Sequence, residues 1–190
     1  CSLQYHVVQL VFEFNSKANC VASTSYSDNI SLSSTSVLVN YILLSTEERE
    51  KFIQSSHEYL IDQVQHTGFD TISSSTTSEK TSNTTLYFNH PIKEFIWAIS
   101  QASSSNPDTS KYKYINYTDN QTYLSGENPV SSALLQLNGH DRFSEESGKF
   151  FNYLQPLMHH KRTPGSGINL YSFSVNPEEF QPSGSCNFSR

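Results

Sequence analysis

Short apolar segments of strand length, several alternating apolar and polar residues, recur along the chain between stretches rich in Ser, Thr and Asn. Val8, Leu10, Phe12 and Phe14 alternate with Gln9, Val11 and Glu13, the period-two pattern of a strand with one buried face. Val37 to Leu44 is apolar on both alternating faces, which predicts a central strand covered on two sides. Leu86 with Phe88, Phe95 to Ile99, and Leu134 to Leu137 predict further strands, with His90-Pro91 marking a bend. After the Pro164-Gly165 turn, Tyr171, Phe173 and Val175 alternate with Ser172, Ser174 and Asn176, predicting a strand whose aromatic side is buried. No apolar run reaches the roughly 18 residues of a membrane helix. The expected fold class is therefore all-β with short helices.

Two helices are expected. Ser45 followed by Glu48 fits a capping box and predicts a helix over Thr46 to Ile53. Ser144 with Glu145 and Glu146 reads as a second helix start, and Pro156 should end that helix because it has no amide to donate. The Ser/Thr-rich run from Thr67 to Thr85 has little to bury and reads as a linker. It divides the chain into residues 1–66, a linker at 67–85, and residues 86–190. Gln101 to Asn128 reads as a long polar excursion.

Composition narrows the function. Charged residues are only 16% of the chain, against about a quarter in ordinary soluble proteins, so polarity rests on uncharged side chains. Such surfaces suit contact with copies of themselves. The formal charge of −6 and the scattered Lys and Arg leave no basic stripe to neutralise a phosphate backbone, so nucleic-acid binding is not expected. Cys1, Cys20 and Cys186 have no metal-like spacing, and their odd number argues against a disulfide framework. All three are expected as free thiols in a reducing compartment.

Catalytic patterns fail one by one. His57-Glu58 would open a zinc protease helix, but the second histidine would have to stand where Ile61 is. His159-His160 would face opposite ways on a strand, so hydrogen bonding or packing is the expected role. The pairs Glu145-Glu146 and Glu178-Glu179 are neighbours, not groups facing across a cleft, and read as solvated or helix-start charges. His140-Asp141 has no serine in a nucleophile elbow to complete a triad. No catalytic, cofactor-binding or metal-binding residue is assigned. Of the sequons at Asn29, Asn83, Asn116, Asn120 and Asn187, those at Asn116 and Asn120 are the ones placed in the long polar loop.

Several segments together resemble one family. Leu3-Gln4-Tyr5-His6, Tyr41 to Arg49, His57 to Gln63, Phe88 to Glu94 with Trp97, and Leu135 to Phe143 are similar to successive stretches of the major capsid proteins of nucleocytoplasmic large DNA viruses. The fullest block runs through Phe151-Asn152, Gln155-Pro156, His159-His160, Arg162-Thr163-Pro164, Gly167-Ile168-Asn169 and Tyr171-Ser172-Phe173. It continues to Pro177-Glu178-Glu179, Gln181 to Gly184 and Cys186 to Arg190. The chain departs from the family where aspartates are common, with Asn40 and Ser45 in their place.

The resemblance implies a double jelly roll, with residues 1–66 ending the first roll and residues 86–190 beginning the second. It further implies a structural protein of the virion capsid that assembles in the infected cell into homotrimeric, pseudo-hexagonal capsomers. Neighbouring capsomers and minor capsid proteins would be its other partners. An internal fragment of such a protein would leave strand edges unpaired and should aggregate when expressed alone. Two rivals stand beside this reading. A carbohydrate- or receptor-binding jelly roll would use Tyr112, Tyr114 and Tyr117, and a cupin-like metalloenzyme would use His140, His159 or His160.

Overall fold

A computed structural model of the chain describes residues 7–14, 31–72, 79–100, 116–120 and 126–189. The chain divides into two compact units, Cys1–Val21 with Ser25–Val64 and Ala22–Thr24 with Gln65–Arg190.

Among the described residues of the first unit the regular element is helix α1, Thr46–Gln54. The capping box expected from the sequence forms: the Glu48 amide donates to Ser45 Oγ at 3.3 Å, and the Ser45 amide donates to Glu48 Oε2 at 3.2 Å. Glu47 and Glu48 also place negative charge at the positive end of the helix dipole. No residue of α1 is buried. The expected strands at Val8–Phe14 and Val37–Leu44 are not formed. Both segments are irregular and exposed, with Val11 at 89% and Leu38 at 96% exposure. An alternating pattern states which face a strand would bury, but a strand needs a ladder partner, and neither segment has one among the described residues.

Among its described residues the second unit holds eight short strands: β1 Pro91–Ile92, β2 Glu94–Ala98, β3 Ser132–Ala133, β4 Gln136–Leu137, β5 His140–Asp141, β6 Glu146–Ser147, β7 Ile168–Ser172 and β8 Cys186–Asn187. They pair as antiparallel couples, β1 with β8, β2 with β7, β3 with β6 and β4 with β5. The β2–β7 ladder is the longest and sets Phe95 opposite Tyr171 and Trp97 opposite Asn169. Aromatic rings fill the space around it. Phe95 lies 5.3 Å from Phe173, 5.1 Å from Phe188 and 5.5 Å from Phe88, while Trp97 meets the fully buried Phe151 edge-on at 5.1 Å. Burial of such rings is the largest apolar contribution available to this unit.

Several expected elements take a different form here. Leu86 and Phe88 are not in a strand; Phe88 contributes its ring to the Phe95 cluster instead. Of the expected strand at Leu134–Leu137 only Gln136–Leu137 forms, as β4, which turns back at once through Asn138 and Gly139, both at positive φ. Two successive left-handed residues are what a two-residue hairpin requires, and Asn-Gly adopts them readily.

Where a helix was expected to start at Ser144, the chain forms β6. Glu145 accepts from the Ser132 hydroxyl and the Gly148 amide donates to the Ser131 carbonyl at 2.8 Å, so pairing with β3 overrides the local capping pattern. Pro156 does not end a helix. Phe150–Leu154 wind as a π-helical turn, closed by the Gln155 amide on the Phe150 carbonyl, and helix α2, Gln155–His159, carries Pro156 in its first turn. Leu154 and Gln155 are both right-handed helical, so Pro156 stands inside a continuous helical stretch, and the π turn ahead of it accommodates the missing amide.

The β7 phase also differs from expectation. Leu170, Ser172 and Ser174 are buried, whereas Tyr171 and Phe173 are half-buried and Val175 is 63% exposed. The reason is a polar network on the serine side. The Ser172 amide donates to Gln155 Oε1 at 3.1 Å, the Ser172 hydroxyl donates to the Ser174 carbonyl at 2.7 Å, and the Ser174 and Ser183 hydroxyls meet at 2.7 Å. Small hydroxyl side chains can be buried at no net loss of hydrogen bonds when each finds a partner. The rings on the other side pack against one another, Tyr171 lying 4.9 Å from Phe143. Cys186 is a free, half-buried thiol; Cys1 and Cys20 lie outside the described residues.

Candidate functional site

The most interlinked polar site of the second unit forms where α2 ends. His160 is the residue after α2, and its backbone amide still donates to the Pro156 carbonyl at 2.8 Å. That fixed position aims its ring between two carboxylates. Nε2 lies 2.8 Å from Glu94 Oε2 at the start of β2, and Nδ1 lies 3.1 Å from Glu178 Oε1 in the segment after β7. The His160 side chain is 15% exposed, Glu94 25% and Glu178 36%. Glu178 also accepts from the Lys161 amide at 3.3 Å. That bond and the neighbouring His160 ring hold the Glu178 carboxyl below the ordinary glutamate range. Beside this cluster, His159 Nδ1 lies 2.9 Å from the Val175 carbonyl. A cleft of about 150 Å³ opens between the Met158–Lys161 turn and Asn176, Glu178 and Glu179.

The histidine pair thus sits at a helix end, not on the strand its sequence suggested, and both members bond to the segment after β7. Glu178 is not simply a solvated charge. Glu94 carried no signal of a role, because its partner stands 66 residues away in the chain. The donor set does not suit a metal, since the two carboxylates meet different nitrogens of one ring. Among the described residues no group of three or more His, Cys, Asp or Glu is placed to hold an ion, and His140 in β5 is exposed.

Asn116 sits in a second polar knot. It is 9% exposed, its Nδ2 donates to the Asn120 carbonyl at 2.7 Å, and its Oδ1 accepts from the Thr118 amide at 3.1 Å and hydroxyl at 2.8 Å. Its amide is therefore engaged and shielded, while Asn120 is exposed. This knot docks on Gly167, whose φ of +87° and contact with the Tyr117 carbonyl leave no room for a Cβ. Tyr117 is half-buried; Tyr112 and Tyr114 lie outside the described residues.

A deeper set of amides lies under β7. Asn152 and Asn169 are fully buried. Asn152 Nδ2 donates to the Ile168 and Gly165 carbonyls at 2.7 and 3.2 Å, while Asn128 Nδ2 donates to Asn169 Oδ1 at 2.6 Å. These bonds position the Pro164–Gly167 turn and the start of β7. They do not converge on a cleft that could hold a substrate.

Residues 48–190 match the family model described as the large eukaryotic DNA virus major capsid protein. The chain belongs to this capsid protein family. Curated family members align over the whole chain: the major capsid protein of Pyramimonas orientalis virus is 37% identical over 100% of the chain and 46% of its own length. That of Paramecium bursaria Chlorella virus 1 is 35% identical over 100% of the chain and 47% of its length. A chain of the solved PBCV-1 virus capsid superimposes with a TM-score of 0.64 at 36% identity, covering 78% of this chain and 40% of that one. The chain spans about half the length of the curated relatives it matches. Both polar knots fall within the matched residues 48–190. No helix of the described residues is long and apolar enough to cross a membrane.

Proposed function

We propose that the chain is the central part of a shell-forming subunit of a large DNA virus, acting in the virion capsid by self-association and carrying no reaction of its own. Alignment of the whole chain to about half the length of proteins named major capsid proteins, at 35 to 37% identity, is the observation that carries this reading. Antiparallel pairing throughout the second unit and its short helices are in keeping with it.

In this reading residues 1–66 close a first jelly roll, residues 67–85 link, and residues 86–190 open a second. The exposed apolar segments Val8–Phe14 and Val37–Leu44 would then be strands that find their ladders only in a longer chain, a role consistent with the alternation of the first and the two apolar faces of the second. Three such subunits would form a pseudo-hexagonal block, with other blocks and minor capsid proteins as neighbours. Stiff jelly-roll flanks and variable end loops suit a tile. Mass spectrometry of particles purified from infected cells tests the role. Peptides of this sequence should exceed every other virion protein in molar amount, and their absence from intact particles would refute it.

A further inference from the structure

We infer that His160 is a pH-dependent latch that fastens the segment after β7 to the start of β2. The inference goes beyond the shell role and does not rest on it, because every group involved lies within the second unit.

Three separate pieces of chain meet at one ring. Glu94 is 66 residues and Glu178 is 18 residues from His160 along the sequence, and both carboxylates can only accept. A neutral imidazole has a single N–H and can serve one of them. The imidazolium has two and serves both. When the ring gives up a proton, one carboxylate oxygen is left facing a nitrogen lone pair at about 3 Å, an arrangement that repels. One of the two ties must then open.

Of the three groups, His160 is the one whose proton count decides how many ties can form, because both carboxylates can only accept. The Lys161 amide and the ring itself hold the Glu178 carboxyl below the ordinary glutamate range, so this carboxylate stays charged near neutrality. His159 donates to the Val175 carbonyl from Nδ1 in either of its protonation states, so its own tie does not require a change. The other charged neighbours are Lys161, Glu179, and Lys93, whose ammonium lies 3.5 Å from the Glu179 carbonyl. The cleft beside Met158 and Asn176 admits water to the ring, so a proton can leave without unfolding.

The segment that would be released is defined by its remaining ties. Upstream, the Phe173 and Ser174 amides both donate to the Lys93 carbonyl, at 2.8 and 3.2 Å. Downstream, Ser183 Oγ accepts from the Asn176 amide at 2.8 Å. Between them Pro177 to Gln181 is held by the buried Pro177, by the Lys93 ammonium on the Glu179 carbonyl and by Glu178, and it carries the 66% exposed Phe180. When the ring tie that opens is the one to Glu178, that carboxylate keeps only the Lys161 amide at 3.3 Å, so the Phe180 stretch loosens while β2 and β7 stay paired.

Hydrogen exchange on the whole chain tests the latch. Amide exchange in residues 178–181, taken relative to the paired amides of β2 and β7 so that base catalysis cancels, is compared at about pH 5.5 and about pH 8, on either side of ordinary imidazole titration. The ratio should rise about two- to fivefold in the native chain, the effect of losing one charge-assisted bond at a partly exposed site. In His160→Gln it should be high and flat with pH. An equal pH step in His160→Gln, or no step in the native chain, overturns the latch. Should His160→Gln fail to fold, Glu178→Gln decides: a lost step supports the latch and a retained one overturns it.

Discussion

Removing the Phe151 ring should selectively collapse the second unit. Phe151 is fully buried and touches Trp97 at 5.1 Å, Phe150 at 5.0 Å and Phe143 at 5.7 Å, so Phe151→Ala opens a cavity that three other rings cannot all fill. Such truncations cost about 3 to 5 kcal/mol. With a urea dependence of about 2 kcal/mol per molar, the unfolding midpoint should fall by roughly 2 M. Trp97 is the only tryptophan of the chain and lies in the affected cluster, so its fluorescence reports this unit directly. Phe180→Ala is the matched control, because a 66% exposed ring should cost no more than about 0.5 kcal/mol. A midpoint shift for Phe151→Ala as small as that of the control, with the slope unchanged, would refute the aromatic core described above.

Other outcomes follow from the same contacts. Gly167→Ala places a methyl against the Tyr117 carbonyl at a positive φ; it should detach residues 116–120 and expose them to limited proteolysis ahead of the wild type. Ser45→Ala removes one half of a capping box and should cost α1 about 1 kcal/mol, seen as reduced helicity by circular dichroism in a peptide spanning residues 43–57. Glu178 has a lowered carboxyl pKa, so its contribution to stability is complete above the ordinary glutamate value and disappears as pH falls through the lowered one. Carbon-detected NMR should find it titrating below the ordinary glutamate range, and His160→Gln should move it upward; an unmoved midpoint would contradict the contact.

What the sequence disclosed and what it hid divide along chain separation. The α1 capping box was legible because donor and acceptor are three residues apart and need nothing else. β2 was legible as an apolar segment, whereas the strand expected over Tyr171 to Val175 forms earlier, at Ile168–Ser172, and its buried phase was not legible. Ser172 and Ser174 are buried by partners at Gln155 and Ser183, and no periodicity within the strand encodes those bonds. Ser144 to Pro156 shows the same limit: its local signals spell a helix start and stop, yet pairing with Ser132 and Ala133 converts the start into β6. The His160 cluster was half visible. The histidine pair stood out, whereas Glu94 was unremarkable until the fold brought it 2.8 Å from the ring. Val8–Phe14 and Val37–Leu44 show the converse, strong patterns whose ladders the described residues do not supply.

The shell-forming account is tested most directly by the mass of the assembled protein. Native mass spectrometry of the product of the complete reading frame containing this chain should give three subunits as the dominant species at micromolar concentration. A well-folded protein that remains a single subunit at every concentration would contradict it.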